Sequence, residues 1–193
     1  MKKNKKLLIG IFLVLFILIL GIIKIIRITE FTLKHTENTE KCASNFKEEI
    51  KIVRGDSLKP LILNGSQIKV SLGYYQCNEI KRNDLVLLNY VGNEVPILKI
   101  IKAVPQDTFK LLLIDNNYYN LFINGKIVTN SQKFPYVFDE KQYKMLSLYE
   151  KDYKGVIPQN TYLLLGDQVN GTTDSTVFGL VDRSDILGKA EIN

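Results

Sequence analysis

The segment Val95-Pro96-Ile97-Leu98-Lys99-Ile100-Ile101 is an apolar run of strand length that contains one lysine. Branched aliphatic residues are enriched in β-strands because they pack well on a pleated, half-buried surface. The run therefore predicts a strand from Ile97 to Val104, and comparable runs predict further strands. These are Gln67 to Leu72, Asp84 to Tyr90, Phe109 to Ile114, Tyr162 to Leu165 and Ile186 to Ile192.

The segment from Leu121 to Val128 carries Asn124-Gly125 between apolar arms, which is the strongest short-range signal for a β-hairpin. Residues 130–160 are rich in tyrosine and lysine, show no clear period and are interpreted as an insertion. No long amphipathic helix is predicted anywhere in the chain. The predicted fold class is mainly β, with one all-β domain large enough to bury a core of its own.

The net charge of the chain lies in its first residues. The 193 residues include 26 basic and 20 acidic ones, and six of the basic residues fall within residues 1–27, where there is no acid. The remaining 20 basic residues balance the 20 acidic ones, so residues 28–193 are formally neutral. The charge distribution therefore argues against a nucleic-acid partner.

The segment from Leu7 to Ile23 contains 17 residues without a charge. Extended to Ile26 across Lys24, it spans roughly the 30 Å hydrocarbon core of a bilayer. The denser basic cluster before it predicts a cytoplasmic N-terminus. We therefore expect a cytoplasmic segment at 1–6, a transmembrane anchor at 7–26, a juxtamembrane stalk at 27–46 and an extracytoplasmic domain at 47–193. A cleaved signal peptide is the alternative, but the segment is followed by charged and β-branched residues rather than small ones.

The residue inventory excludes several kinds of site. With His35 as its single histidine, the chain favours neither a Ser-His-Asp triad nor a multi-histidine metal site. Two cysteines, Cys42 and Cys77, cannot form a four-cysteine zinc site. We expect no metal and no cofactor. In an exported domain the two cysteines could pair or remain thiols, and the sequence leaves both states open.

A hydrolase without histidine needs another base, and a lysine can serve when burial lowers its pKa from about 10.4. Lys99 is a candidate because it lies among apolar residues; the alternative is that it points out of an edge strand. The candidate nucleophile is Ser57, in the turn Val53-Arg54-Gly55-Asp56-Ser57-Leu58-Lys59-Pro60. Taken alone, this segment favours an ordinary glycine- and proline-containing turn over a nucleophile.

Five short motifs follow one another in an order that changes this interpretation. They are Gly55 to Ile62, Arg82 to Leu88, Ile97 to Asp107, Gly166 to Gly179 and Gly188 to Ala190. In this order, behind a single N-terminal anchor, they resemble the boxes of the type I signal peptidases. These are the bacterial signal peptidase I enzymes of family S26, which use a Ser–Lys dyad, and the chain resembles a divergent member.

The resemblance implies a signal-peptidase-like β-sheet or barrel catalytic domain with one transmembrane helix. It implies Ser57 as nucleophile and Lys99, rather than Lys102, as general base. The hydroxyl of Thr172 falls where the family has a serine that orients the lysine, and Asp174 falls on an aspartate that shapes the site from behind. The implied partners are membrane lipid and exported preproteins with small residues at the cleavage site.

Several departures from the family pattern bear on activity. Leu58 replaces the usual methionine, while Ile100 and Thr176 replace arginines, so Asp174 lacks its expected partner. One alternative is a specialised peptidase of the same type that matures a pilin or conjugation substrate. Others are a non-catalytic anchored homologue acting in pilus or secretion assembly, and an anchored β-domain without chemistry.

Overall fold

The computed structural model describes residues 20–30, 46–90 and 95–192. The chain divides into two compact units, Met1–Asn45 and Phe46–Asn193. In the first unit, residues 20–30 are helical (α1) and exposed. The N-terminal segment 1–6, most of the predicted anchor at 7–26, and residues 31–45 of the predicted stalk lie outside the described residues. Of the helices in the described ranges, none is long and apolar enough to span a bilayer.

The second unit is built mainly of antiparallel β-strands, as the sequence predicted. The strands are β1 (Lys47–Ile52), β2 (Gln67–Leu72), β3 (Leu85–Leu88), β4 (Ile97–Ala103), β5 (Phe109–Asp115), β6 (Tyr118–Ile123), β7 (Lys126–Ile127), β8 (Thr161–Leu165), β9 (Val181–Asp182) and β10 (Ile186–Ile192). One sheet has the strand order β1-β2-β10-β3-β4-β8-β9, and a three-stranded sheet has the order β5-β6-β7.

Strand β3 explains why the central strands are continuous apolar runs. Its four residues are all buried and alternate between two core clusters. Leu85 and Leu87 pack with residues of β2 and the β1–β2 loop, whereas Val86 and Leu88 pack with residues of β8 and β9. Since both faces of the strand are covered, no polar alternation survives in the sequence.

The predicted hairpin at Asn124-Gly125 is confirmed and joins β6 to β7. Asn124 has φ 50° and Gly125 has φ 74°, and positive values at both positions are those of a type I′ turn. The Asn124 side chain accepts a hydrogen bond from the Thr108 N–H (2.9 Å) and donates one to Asp107 (2.8 Å). The hairpin is thereby tied to the loop between β4 and β5.

Residues 130–160, interpreted from the sequence as an insertion without a clear period, contain a helix that the sequence analysis did not predict. A 13-residue helix, α2 (Glu140–Asp152), lies in this segment and begins with a capping box between Asp139 and Gln142. Leu146 is its one fully buried residue, and the other apolar positions are half-buried or exposed. The apolar stripe is therefore too weak to give a clear helical period. A second, four-residue helix, α3 (Ser175–Phe178), is capped by the Asp174 side chain.

Strand β4 has different neighbours along its length, and this positions the site. Its first half pairs with β3 from Ile97 to Ile100, whereas β8 pairs with it only from Ile100 to Ala103. Among the described strands, none pairs with the second edge of the segment 97–99. That edge faces a groove whose other wall includes the end of β1.

Candidate active site

Ser57 lies in the loop between β1 and β2, at a half-buried position. Two backbone hydrogen bonds close the base of this loop, from Val53 N to Ser66 O and from Gly65 N to Val53 O, both 2.9 Å. Leu58, next to the serine, is 1% exposed and packs in the core. The buried leucine anchors the turn and leaves the serine side chain at the surface of the groove.

The segment after β8 holds the backbone of Ser57 from the other side. Asp167 N–H donates to the Ser57 carbonyl over 2.7 Å, and the amide of Gln168 donates to the Asp56 carbonyl over 2.8 Å. Any side chain at Gly166 would collide with the Ser57 carbonyl and with Thr172. The glycine is needed here because the two segments approach so closely. The Gln168 side chain thus contacts the loop that carries Ser57.

Lys99 lies on β4 and is 3% exposed. Its Nζ lies 2.9 Å from Ser57 Oγ and donates to the carbonyl of Leu98 at 3.0 Å. Burial lowers the pKa of Lys99 to about 8, and the negative charge of Asp174 partly opposes that change. The structure therefore brings the two predicted dyad residues into contact and surrounds the amine with a medium that favours its neutral form.

Asp174 is fully buried, and five hydrogen bonds satisfy its carboxylate. Its Oδ2 accepts from Gly166 N (3.0 Å) and from both the N–H (3.3 Å) and the hydroxyl (2.8 Å) of Thr172. Its Oδ1 accepts from Thr176 N (3.0 Å) and from the Thr176 hydroxyl (2.7 Å). The Thr172 hydroxyl therefore gives its proton to Asp174, and no hydrogen bond joins Thr172 to Lys99 in the described part of the chain.

The loss of the family arginines does not leave Asp174 unsatisfied. Thr176, which stands at one of the arginine positions, supplies two of the five donors through its backbone and its side chain. Sequence reasoning missed this role of Thr176. The available signal was the aspartate itself, because aspartate is a favoured N-cap residue. The side chain of an N-cap accepts a hydrogen bond from a backbone N–H in the first turn of the helix, as Asp174 does from Thr176.

A groove of about 550 Å³ opens in front of Ser57 and Lys99. Two segments, 50–54 and 95–99, form most of its walls. The lining is mostly apolar, and none of its described residues is acidic: Ile50, Lys51, Ile52, Val53, Arg54, Ser57, Leu58, Leu87, Val95, Pro96, Ile97, Leu98 and Lys99. Such a groove, with a free strand edge on one side, suits an extended apolar peptide.

Two further observations concern possible metal ligands and the cysteines. Within residues 20–30, 46–90 and 95–192, no three His, Cys, Asp or Glu side chains are grouped so that they could hold a metal ion. Cys77 is disulfide-bonded, and Cys42, the other cysteine of the chain, lies outside the described residues.

Comparison with known proteins identifies the family. Residues 42–193 match the family "Signal peptidase, peptidase S26". Signal peptidase IB of Staphylococcus aureus (strain COL) is 25% identical over 148 residues, which cover 71% of this chain and 72% of the relative. Signal peptidase I P of Bacillus subtilis subsp. natto is 29% identical over 143 residues, covering 73% and 74%.

A crystal structure of a signal peptidase I from Enterococcus faecalis matches with a TM-score of 0.40 at 18% identity. It covers 58% of this chain and 97% of that one, and the score is too low to carry a conclusion about the fold. The family match spans most of the chain and includes every residue of the site. The chain therefore belongs to the S26 signal peptidases, and it is a serine protease of the signal peptidase I type.

Proposed function

We propose that this protein is a membrane-anchored endopeptidase that removes N-terminal signal peptides from exported preproteins with a Ser57–Lys99 dyad. The observation that carries the proposal is the 2.9 Å contact between Ser57 Oγ and the Nζ of a lysine that is 3% exposed. A serine hydroxyl is a weak nucleophile unless a neighbouring base takes its proton. A buried amine with its pKa lowered to about 8 can do so near neutral pH.

In the first step, neutral Lys99 accepts the proton of Ser57 Oγ as the oxygen attacks the scissile carbonyl carbon. The C–N bond then breaks, and the Lys99 ammonium returns the proton to the leaving amine. The signal peptide stays bound to Ser57 as an ester. In the second step a water molecule attacks this ester, Lys99 again accepts a proton, and the released Ser57 oxygen regains it.

The Ser57 backbone N–H is the proposed donor to the oxyanion that forms on the substrate carbonyl. Within the described ranges, no acceptor is hydrogen-bonded to this N–H. Preorganised backbone donors of this kind stabilise the developing charge without reorganisation during the reaction. Gly55 cannot add a hydroxyl to this site. Asp174 and Thr172 support the site from behind, because the charge of Asp174 acts on Lys99 and Thr172 holds that carboxylate in place.

The substrate would bind as an extended strand in the groove and pair with the free edge of residues 97–99. Backbone pairing supplies affinity in this mode, and pockets for alternate side chains supply selectivity. We infer from the family that small residues precede the cleaved bond at the −1 and −3 positions. Their side chains would point into the apolar lining around Leu87, Ile52 and Ile97.

Membrane anchoring completes the proposal. Residues 7–26 would form the anchor, with residues 1–6 in the cytoplasm, a stalk at 27–46 and the peptidase domain at 47–193 outside the cell membrane. A bilayer confines both the enzyme and a membrane-held preprotein to one plane, which raises their effective concentration. The proposed partners are membrane lipid and exported preproteins, and the proposal includes no nucleic acid.

The test uses the full chain purified in detergent micelles and a panel of exported preproteins. Mass spectrometry should find a single cut at the signal-peptide junction of several preproteins, and the variant Ser57→Ala should give no cut. Cleavage by Ser57→Ala at the wild-type rate would overturn the nucleophile assignment. Cleavage of one preprotein and no other would point instead to a dedicated maturation peptidase of the same chemical type.

A further inference from the structure

We infer that Thr176 and Gln142 are positioning residues, which hold the Asp174 carboxylate in place through a relay of neutral hydrogen bonds. The relay stands where the family pattern has an arginine. It also links the active site to helix α2, whose segment had no role in the motifs. The inference rests on the proposed Ser57–Lys99 dyad, because Asp174 acts on the reaction through Lys99.

The first step concerns how the buried charge of the Asp174 carboxylate is compensated. Asp174 is fully buried, and a buried carboxylate is costly unless hydrogen bonds or an opposite charge compensate it. Among the described residues no cation forms an ion pair with it. Its charge is therefore held by hydrogen-bond donors alone, and two of those five come from Thr176. The 2.7 Å bond from the Thr176 hydroxyl is the shortest of the five.

The second step concerns the direction of the Thr176 hydroxyl. A hydroxyl has one proton to donate and two lone pairs that can accept. The Gln142 side-chain amide donates to Thr176 Oγ1 over 3.4 Å, so the hydroxyl accepts on this side. Its single proton is then directed to Asp174 Oδ1. The long distance makes the contact from Gln142 weak, but it favours the productive orientation of the hydroxyl.

The third step is the orientation of the Gln142 amide. Its Oε1 accepts from the Asp139 backbone N–H over 3.0 Å, as part of the capping box at the start of α2. The Nε2 group therefore points the other way, where it donates to Asn170 O over 3.0 Å and to Thr176. The helix cap thus sets which end of the amide faces the active-site loop.

Gly171 supports the same arrangement independently. It has φ +82°, and a side chain at this position would collide with the Gln142 amide nitrogen. The glycine leaves the space through which Gln142 reaches the loop that carries Asp174. The contact from α2 is thus accommodated by the backbone of that loop.

The consequence for the site follows from the charge of Asp174. That charge opposes the effect of burial on the pKa of Lys99. A carboxylate that loses its Thr176 hydroxyl is held by fewer donors, and its charge is less well oriented towards Lys99. The pKa of Lys99 should then fall below about 8, and the amine should be less well placed against Ser57 Oγ.

The experiment compares Thr176→Val with Thr176→Ser in the full chain in detergent micelles. We expect Thr176→Val, which removes the hydroxyl at constant volume, to lower kcat about tenfold with KM changed by less than about twofold. The acidic limb of its pH profile should move to lower pH by about half a pH unit. Thr176→Ser keeps the hydroxyl and should restore both quantities to within about twofold of wild type.

A matched pair of variants separates the relay from the stability of the helix. Gln142→Met and Asp139→Ala both break the capping box of α2, but only Gln142→Met removes the donor to Thr176. Both should unfold at a lower temperature than wild type. Only Gln142→Met should also lower kcat, by about threefold, and displace the acidic limb in the same direction as Thr176→Val.

The inference is overturned if Thr176→Val and Gln142→Met keep the wild-type kcat and acidic limb, whatever their unfolding temperatures. It is equally overturned if Asp139→Ala moves the limb as far as Gln142→Met. Ser57→Ala, assayed in parallel, separates this inference from the proposed function. An active Ser57→Ala defeats both, whereas an inactive Ser57→Ala with an unaffected Thr176→Val defeats the relay alone.

Discussion

Two lysines of the same strand, Lys99 and Lys102, are both buried, and their different surroundings show what makes an amine a base. Lys99 is 3% exposed and Lys102 is 9% exposed, and burial lowers the pKa of both. Each also donates to one backbone carbonyl, at 3.0 Å from Lys99 and 3.1 Å from Lys102. Burial and the direction of the pKa change therefore do not distinguish the two lysines.

The difference lies in what else each Nζ contacts. The Nζ of Lys99 lies beside Ser57 Oγ and lines the apolar groove. The Nζ of Lys102 donates to Thr129 O and lies 5.2 Å from the centre of the Tyr136 ring, a cation–π contact. The pairing of β4 with β8 shifts register between Ile101 and Ala103, so Lys102 lies at an irregularity of the strand pairing. Burial lowers the pKa of both amines, but only Lys99 Nζ is in contact with the Ser57 hydroxyl, and this contact favours Lys99 as the proposed base.

The largest expected effect is the loss of activity when the lysine beside Ser57 is removed. Lys99→Met should lower kcat/KM on a preprotein by at least about 10³-fold, because no other base contacts Ser57 Oγ in the described structure. Lys102→Met, the matched variant on the same strand, should stay within about tenfold of wild type. Equal losses in both variants would contradict the contrast between the two lysines.

The second effect is the dependence of activity on pH. Because the proposed base is neutral Lys99, whose pKa burial lowers to about 8, kcat/KM should rise with pH and level off above pH 8. At pH 6 only about one amine in a hundred is neutral, so the rate should be about 100-fold below the plateau. Two outcomes would assign the titration to another group. One is a pH profile that is already flat between pH 6 and pH 8. The other is a profile that Lys102→Met displaces as far as does Asp174→Asn, the variant described next.

A smaller effect tests the charge near Lys99. Asp174→Asn removes the negative charge but keeps a side-chain oxygen that can accept hydrogen bonds. We expect kcat to fall about 10- to 100-fold and the acidic limb to move to lower pH, since the charge of Asp174 raises the pKa of Lys99. Movement of the limb to higher pH would show that the charge does not act on Lys99 as the geometry implies. Asp139→Asn, at the cap of α2, is the control for a general effect of removing an acid.

The last effect is on stability rather than activity, and it has the opposite sign to the effect on activity. Lowering the pKa of Lys99 from 10.5 to about 8 corresponds to about 3 kcal/mol at pH values below 8. Lys99→Met should therefore raise the free energy of unfolding at pH 7 by up to about 3 kcal/mol. The gain should shrink between pH 8 and 10.5, because the unfolded chain still binds the proton that folded Lys99 has released.

Denaturant unfolding of wild type and Lys99→Met at pH 7 and pH 10 measures this difference. A variant that is less stable than wild type at pH 7 would show that Lys99 is not held at a cost in stability. Lys102→Met should change stability in the same direction at pH 7, because burial also lowers the pKa of Lys102. The activity of Lys102→Met should nevertheless be retained. Both variants should therefore gain stability, but only Lys99→Met should lose activity.

The elements that the sequence predicted correctly are those governed by local rules. The strands β2 and β10 have the predicted bounds, and the turn at Asn124-Gly125 forms because both residues accept a positive φ. Helix α2 escaped prediction because it buries only Leu146 fully, so its apolar period was too weak to read. The partner of Asp174 was missed because the family pattern points to an arginine, whereas Thr176 meets the same need with neutral donors.

The sequence by itself determined that the chain has a mainly β domain and contains a Ser57–Lys99 pair in the order typical of its family. Strand periodicity, turn chemistry and motif order are properties of neighbouring residues, so they can be recognised in the sequence without a structure. Only the tertiary structure decided which buried lysine meets Ser57 and how Asp174 is satisfied. Ser57 and Lys99 are 42 residues apart in the chain, and Gly166 and Asp174 are 8 residues apart. Strand pairing and close packing bring these residues within hydrogen-bonding distance, which neighbouring residues alone do not reveal.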